Sequence, residues 1–331
     1  MYTPPFTISA HAINLIAEIS GQIERYAIRL EQSDAMKLRK ANRIRTIHSS
    51  LAIEGNTLSE DEVKDIIEGK TIIAPLRQIQ EVKNAIKTYE LYSSLNPFSV
   101  DDLLKAHGTM MMALTDDAGR FRRGGVGVFS DKGLVHMAPP ANRVPELIIN
   151  LFEWLKEAKD HLLIRSCVFH YEFEFIHPFS DGNGRTGRLW QSLILGKLHP
   201  LFEHLPVENM VYANQEAYYN AIQASTAAAN SGPFIDFMLQ EILDALKNHQ
   251  GSPLPQSEYS EVRDKVRVKF GISSGQIIEL IRHNSSITLD EIADTLSVTR
   301  RAIEKKIKEL RDAGYIRREG SNKSGRWVII E

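Results

Sequence analysis

A single cysteine, Cys167, stands among 331 residues, so no internal disulfide framework exists and a reducing compartment, the cytoplasm, is the expectation. Cys167 lies in an apolar helical run, LLIRSCVF, where a buried core thiol is the ordinary outcome. No stretch reaches the ~18 apolar residues of a membrane-spanning helix, so no membrane partner is expected. The opening MYTPPFTISA lacks a charged segment followed by an apolar one, so no secretory signal is expected. There is no repeat at a fixed period. The glycine-rich segment 182–187 lacks the Gly-Lys-Ser/Thr ending and follows a helix rather than a strand, so it is no Walker A loop.

The composition is 43% hydrophobic and 25% charged, that of a globular chain long enough for one large core or two ordinary ones. The net charge of −2 is unevenly spread. Residues 261–331 hold 15 Lys and Arg against 11 Asp and Glu, and residues 1–260 hold 25 against 31. That asymmetry hints at an anionic partner for the C-terminal part.

Helix signals cover 8–31, 35–54, 60–68, 77–94, 100–114, 144–158, 160–176, 184–198, 214–230 and 232–248. Ser59-Glu60-Asp61-Glu62 reads as a capping box, and Ser99 with Asp102 repeats it more weakly. Residues 124–138 break the helical pattern. Val126, Val128, Lys132-Gly133, Val135 and Met137 predict two short strands around a turn, ended by Pro139-Pro140. Residues 249–258, rich in Gly, Pro and Ser, read as a linker. The expected layout is an N-terminal helical region (1–95), a second helical domain carrying the hairpin (96–250), a connecting segment (251–270) and a small C-terminal domain (271–331).

The chemistry concentrates in His177-Pro178-Phe179-Ser180-Asp181-Gly182-Asn183-Gly184-Arg185-Thr186-Gly187-Arg188, between two apolar helices. Gly182 and Gly184 permit positive φ and close approach of a ligand to the backbone. Gly-Asn-Gly at a helix start aims unpaired N–H groups at one point, an anion site aided by the helix dipole. Arg185 and Arg188, three apart, share a helix face and can grip one polyphosphate. Asp181 offers a hard oxygen for Mg²⁺, and His177 is the nearby side chain whose ordinary pKa suits a general base. Taken singly, His-Pro or Gly-Asn-Gly is a common turn; twelve consecutive residues carrying every part favour a site.

These residues match the signature of the Fic family, HPFx(D/E)GNGRxxR, without departure, and the resemblance spans about residues 1–250. It implies a mainly α Fic-type domain with a β-hairpin flap, and transfer of AMP from ATP to a Ser, Thr or Tyr hydroxyl of a target protein, or of the enzyme itself, with pyrophosphate released. His177 would deprotonate the hydroxyl and Asp181 would hold Mg²⁺ on the α- and β-phosphates. Asn183 and its neighbouring amides would stabilise the α-phosphate, and Arg185 and Arg188 would bind the β- and γ-phosphates. Ser50-Leu51-Ala52-Ile53-Glu54-Gly55 resembles the family's inhibitory motif, (S/T)xxxE(G/N). Ser50 and Glu54 are one turn apart, and the resemblance implies a forked ion pair from Glu54 to Arg188 that misplaces the phosphates. The alternative is a helix that ends at Gly55 with Glu54 merely solvated. The hairpin matches the flap that aligns a target chain as an added strand. Phe121, Arg122 and Arg123 either bind target or lie on the surface. Tyr218, Tyr219 and Asn230 lie where the family builds its adenine pocket, although two Tyr on a helix are otherwise ordinary core. Family members of this layout often dimerise, so a homodimer is expected.

Residues 272–331 resemble a winged helix-turn-helix. Thr288–Leu296 forms the first helix, Ser297-Val298-Thr299 the turn, and Arg300–Ala313 the second helix with Ile303, Ile307 and Leu310 buried. A strand starts at Gly314-Tyr315-Ile316, and 321–325 is a wing tip. In the second helix Arg300, Arg301, Lys305, Lys306, Lys308 and Arg311 outnumber its acids, which suits duplex DNA in the major groove. The same basic face also suits protein contact. Three functions stay open at this level: an autoinhibited AMP transferase, a transcription regulator with a Fic sensor domain, and a Fic-fold enzyme with another activity, phosphorylation as in the Doc branch or removal of AMP.

Overall fold

Local signals act where they are written. Ser59 accepts from the Glu62 N–H while Glu62 accepts from the Ser59 N–H, a complete capping box, and Ser99 caps the next-but-one helix through the Asp102 N–H. The computed structural model describes residues 2–30, 35–130, 133–248, 272–285, 287–296, 298–319 and 326–330. The expected linker at 249–258, the wing tip at 321–325, Lys132 of the hairpin turn and Ser297 lie outside them. The chain divides into two units, Met1–Ser252 and Pro253–Glu331.

The first unit contains helices α1 (Ala10–Leu30), α2 (Ala35–Ala52), α3 (Glu60–Ile67), α4 (Leu76–Glu90) and α5 (Val100–Met110). Strands β1 (Gly127–Ser130) and β2 (Gly133–Met137) follow, then α6 (Val144–Glu157), α7 (Leu162–Ile176), α8 (Asn183–Gly196), α9 (Val207–Ala213), α10 (Gln215–Ala228) and α11 (Gly232–Asn248). Helix α7 is buried on nearly every side, as expected of a helix apolar all round. It packs on α6, α8 and α11, and α1 lies along α11. Phe169, Phe173, Phe179 and Trp190 are fully buried around it. The region 1–95 is therefore part of the same body as the helices after it. Helix α9 went unread in the sequence, where Pro206 and a short, mixed segment mask its period.

The hairpin is antiparallel, with Val128 opposite His136 and Phe129 opposite Leu134. The register shift leaves Val135 as the extra residue of a bulge, which bends the ribbon and breaks the simple alternation. Met137, at its end, is 67% exposed.

The second unit holds α12 (Ile272–His283), α13 (Leu289–Thr295), α14 (Arg300–Asp312), β3 (Ile316–Glu319) and β4 (Arg326–Ile329). Thr288 and Glu291 form the capping box of α13, and Thr299 caps α14. Ile303, Ile307 and Leu310 face a core shared with Ile278, Ile292 and Trp327. The order helix, helix, helix, antiparallel strand pair is that of a winged helix.

Candidate active site

The site lies where α7 ends and α8 begins. His177 closes α7 in the left-handed region at φ 49°, an uncommon setting for a residue with a side chain. Two things hold it. The Arg122 Nε–H donates to the His177 carbonyl at 2.7 Å, and the Arg122 backbone N–H donates to the Pro178 carbonyl at 2.9 Å. The same guanidinium also donates to the carbonyls of Gly124, Pro139 and Ile176. Arg122 is thus buried and ties both feet of the hairpin to the end of α7. Neither target binding nor surface exposure, the two sequence expectations, describes it.

The loop is then zipped internally. The Asn183 side chain accepts from the Phe179 N–H and donates to the Phe179 carbonyl, each at 2.9 Å. Its side chain is therefore committed to the loop, and what it offers a ligand is its backbone N–H at the start of α8. Phe179 stacks face to face on His107, centroids 3.6 Å apart. The Gly119 N–H donates to His107 Nδ1, so Nε2 carries the proton and donates to the Asp181 carbonyl at 3.0 Å. Burial pushes His107 down to about 4, which keeps that tautomer neutral. Gly182 has φ 83°, and a Cβ there would meet Met111 Sδ at 2.6 Å; only glycine fits.

Asp181 Oδ1 accepts from the Gly182 N–H at 2.6 Å and from Arg185 at 2.9 Å. Its Oδ2 is 3.4 Å from Arg77, a residue of α4 that no sequence motif flagged. Asp181, Arg185, Arg77 and Glu54 line one open cleft of about 240 Å³. Asp181, with Glu54 and Glu81 on the same cleft, is placed as a carboxylate that would hold Mg²⁺ together with substrate phosphates. Among the described residues there is no cluster of three His, Cys, Asp or Glu side chains that would hold a metal alone.

Arg188 is buried at the other side of the α8 start. It donates to Glu54 Oε1 at 2.9 Å and to the Ser50 carbonyl at 2.8 Å, with the Ser50 hydroxyl 3.5 Å from Nε. Helix α2 stops at Ala52, and Glu54 sits in the turn after it, before Gly55 at φ 87°. Burial, the largest single influence, would lower the Arg188 pKa, but Glu54, Tyr218 and Glu174 together outweigh it and the guanidinium is pushed up. A Cβ on Gly184 would collide with Glu54 Oε1 and sit 2.9 Å from Arg188 Nη1. The carboxylate of Glu54 therefore rests over the amide-rich start of α8, where an anionic ligand would rest. Two further carboxylates surround Arg188: Glu174 of α7, and Glu208 of α9, which accepts from the Tyr89 hydroxyl at 3.1 Å.

The residues expected around adenine divide. Tyr218 is 3% exposed, its hydroxyl on His170 Nε2 at 3.1 Å and its ring against Phe234, so the core reading applies to it. Tyr219 is half-buried beside it. Asn230 uses its Oδ1 for the Gly232 N–H and the Thr7 hydroxyl, capping α11.

In the second unit Arg300 is engaged by Asp290, bidentate at 2.7 and 2.9 Å, and by Glu304 at 3.0 Å. A phosphate would have to compete with these two exposed carboxylates for it. Lys306 pairs with Glu309 at 3.2 Å. Arg301, Lys305 and Lys308 are exposed on α14, with no acidic partner shown among the described residues.

Comparison with known proteins agrees with this architecture. The Fic/DOC family model matches residues 97–195, and an HTH domain model matches 275–325. A crystal structure of a Fic family protein from Desulfovibrio desulfuricans G20 is 38% identical, covers 99% of this chain and 98% of its own, and has a TM-score of 0.72. Protein adenylyltransferase Fic from Nematostella vectensis is 31% identical over 58% of this chain and 45% of its own length. Protein adenylyltransferase fic-1 from Caenorhabditis briggsae is 29% identical over 67% of this chain and 47% of its own. The chain spans about half the length of the curated relatives it matches. With near end-to-end likeness to one solved member and the complete loop between α7 and α8, this chain belongs to the Fic family.

Proposed function

We propose that the chain is a protein AMP transferase that uses ATP and is restrained by Glu54. The single observation that carries this is the arrangement around the α8 start: a histidine fixed in a left-handed turn, an amide-rich helix end, and two arginines held by carboxylates. In the reaction the target hydroxyl gives its proton to His177 as its oxygen bonds to the α-phosphorus. The bond from that phosphorus to the bridging oxygen breaks, and pyrophosphate leaves with the electron pair. Positioning and charge neutralisation supply most of the acceleration in such transfers. Arg185 and Arg188 take the β- and γ-phosphates, and the α8 amides face the α-phosphate. Mg²⁺, when bound through Asp181, neutralises phosphate charge. With Glu54 on Arg188, the γ-phosphate has no free clamp and the nucleotide sits out of line. The relatives named protein adenylyltransferase support the reaction class.

ATP labelled at the α- or the γ-phosphate tests this with the full chain. Label should enter protein from the α position only, and His177→Ala should abolish it, since loss of a general base costs on the order of 10²–10⁴ in rate. Transfer of the γ label would make the protein a kinase of the Doc type and overturn the proposal.

The second unit favours a further reading, DNA binding, on the observation that Arg301, Lys305 and Lys308 form an exposed stripe on the second helix of the helix-turn-helix. No helix among the described residues is long and apolar enough to cross a membrane.

A further inference from the structure

Glu174 is an anomaly of α7. It lies three residues before His177, on the same face of the helix, in an aromatic run whose other acid, Glu172, accepts from the Tyr2 hydroxyl at 3.0 Å. It is 7% exposed, and its Oε1 has no hydrogen-bond partner. An unpaired buried carboxyl oxygen costs about 1–3 kcal/mol or more, so its presence asks for a reason. Its Oε2 is 3.7 Å from His177 Nδ1, within ion-pair range but longer than a hydrogen bond, so the carboxyl acts on the ring through its charge, and the left-handed turn at His177 keeps the ring beside the last turn of α7. Gly187 of α8 lies against it, and a Cβ there would meet Glu174 Oε1 at 2.9 Å. The other charged or titratable groups that act on the pocket are Arg188 of α8, Glu54 after α2, and Tyr218 and Tyr219 of α10, with His170 of α7 against the same face of Gly187.

We propose that Glu174 is a positioning residue for His177: its carboxylate takes the Nδ1 side of the imidazole, holds the proton there, and leaves Nε2 open to the attacking hydroxyl. The proposal rests on the AMP-transfer reading for its chemistry. A neutral imidazole can accept a proton only at the nitrogen that carries none, so an anion on the Nδ1 side selects the useful tautomer. When Nε2 takes the hydroxyl proton, the resulting imidazolium faces a carboxylate, and no atom leaves the pair. Burial also pushes Glu174 up to about 8, against the opposing influence of Arg188. Carboxylate and imidazole therefore compete for one proton, and the midpoint belongs to the pair. AMP transfer should climb between about pH 7 and 9 as that proton leaves.

The test reads the ring before it reads the rate. Nitrogen-15 NMR of the full chain, with the His177 signals assigned through His177→Ala, should show Nδ1 protonated and Nε2 bare at pH 9. In Glu174→Gln, which keeps the volume and removes the charge, the His177 midpoint should fall by at least about half a pH unit. In a Glu54→Gly background, kcat should drop roughly 10- to 100-fold with KM for ATP within about twofold, and the climb in rate should move to lower pH. A carboxyl that only fills space would leave the tautomer and midpoint unmoved. A wild-type ring protonated at Nε2 at pH 9, or a Gln variant with the wild-type midpoint and kcat, overturns the proposal. The ring measurements on wild type and Glu174→Gln need no turnover, so together they decide the placing of Glu174 even if labelled ATP shows no AMP transfer and the reaction class is what fails.

Discussion

Removing the Glu54 carboxylate should release the enzyme. Glu54→Gly deletes one charge-assisted hydrogen bond, 2.9 Å to Arg188, of a kind that contributes about 1.5–3 kcal/mol. The Glu54 side chain is 31% exposed, so solvent screening places it in the lower half, about 1.5–2 kcal/mol. At 1.4 kcal/mol per tenfold, the competent nucleotide pose gains roughly 10- to 30-fold. The fold should survive, because Arg188 keeps the Ser50 carbonyl and still faces Glu174 and Glu208. Arg188→Ala removes lock and clamp together and should be inactive, and the double variant should match it rather than the product of the singles. The assay is incorporation of α-labelled AMP by the four proteins at saturating ATP and Mg²⁺, with self-modification as the first readout. If Glu54→Gly is no faster than wild type, the pair with Arg188 is structural and the restraint argued from it does not exist.

Other consequences can be measured directly. Arg122→Met should lower stability by about 2–4 kcal/mol, since four carbonyls lose a charged donor, and hydrogen exchange should show the hairpin feet opening; a thermal melt within a degree of wild type would contradict this. Arg301→Glu with Lys305→Glu should weaken binding of the full chain to duplex DNA and flatten its salt dependence by about two phosphate contacts, leaving AMP transfer unchanged. Arg300→Ala should affect DNA affinity far less, because Asp290 and Glu304 already hold that side chain; no DNA affinity even at low salt would favour a protein-contact role for the domain. Stability should fall as pH rises from about 6.5 to 8. Burial pushes Glu172, Glu174 and Glu208 up to about 7, 8 and 7, so the folded chain keeps protons that unfolded carboxyls lose near 4.5. The loss should reach about 3 kcal/mol in urea titrations if all three take part. Below about 6.5 the trend is opposed, because buried His107 and His170, pushed down to about 4, resist the protons that unfolded histidines accept.

What the sequence could show follows from the range of the forces involved. The caps at Ser59 and Ser99 and the apolar period of α14 were legible because each is settled within one or two turns of chain. The loop from His177 to Arg188 was legible because its parts are consecutive. The same reading left Tyr218 open between an adenine pocket and the core, and the contacts that Tyr218 and Asn230 make, with His170 and Thr7, are set by packing that no spacing announces. Arg122 shows the limit most clearly. An arginine in an Arg-Arg-Gly-Gly run looks like surface, yet it supplies donors to carbonyls at 124, 139, 176 and 177. One signal was within reach. Glu174 is a charge inside an apolar helix, three residues before the histidine, and a buried charge needs a partner. Glu172, two residues earlier, reaches the Tyr2 hydroxyl, but the core closes over Glu174, and the titratable group set beside it by the helix end is His177, where the chain turns back.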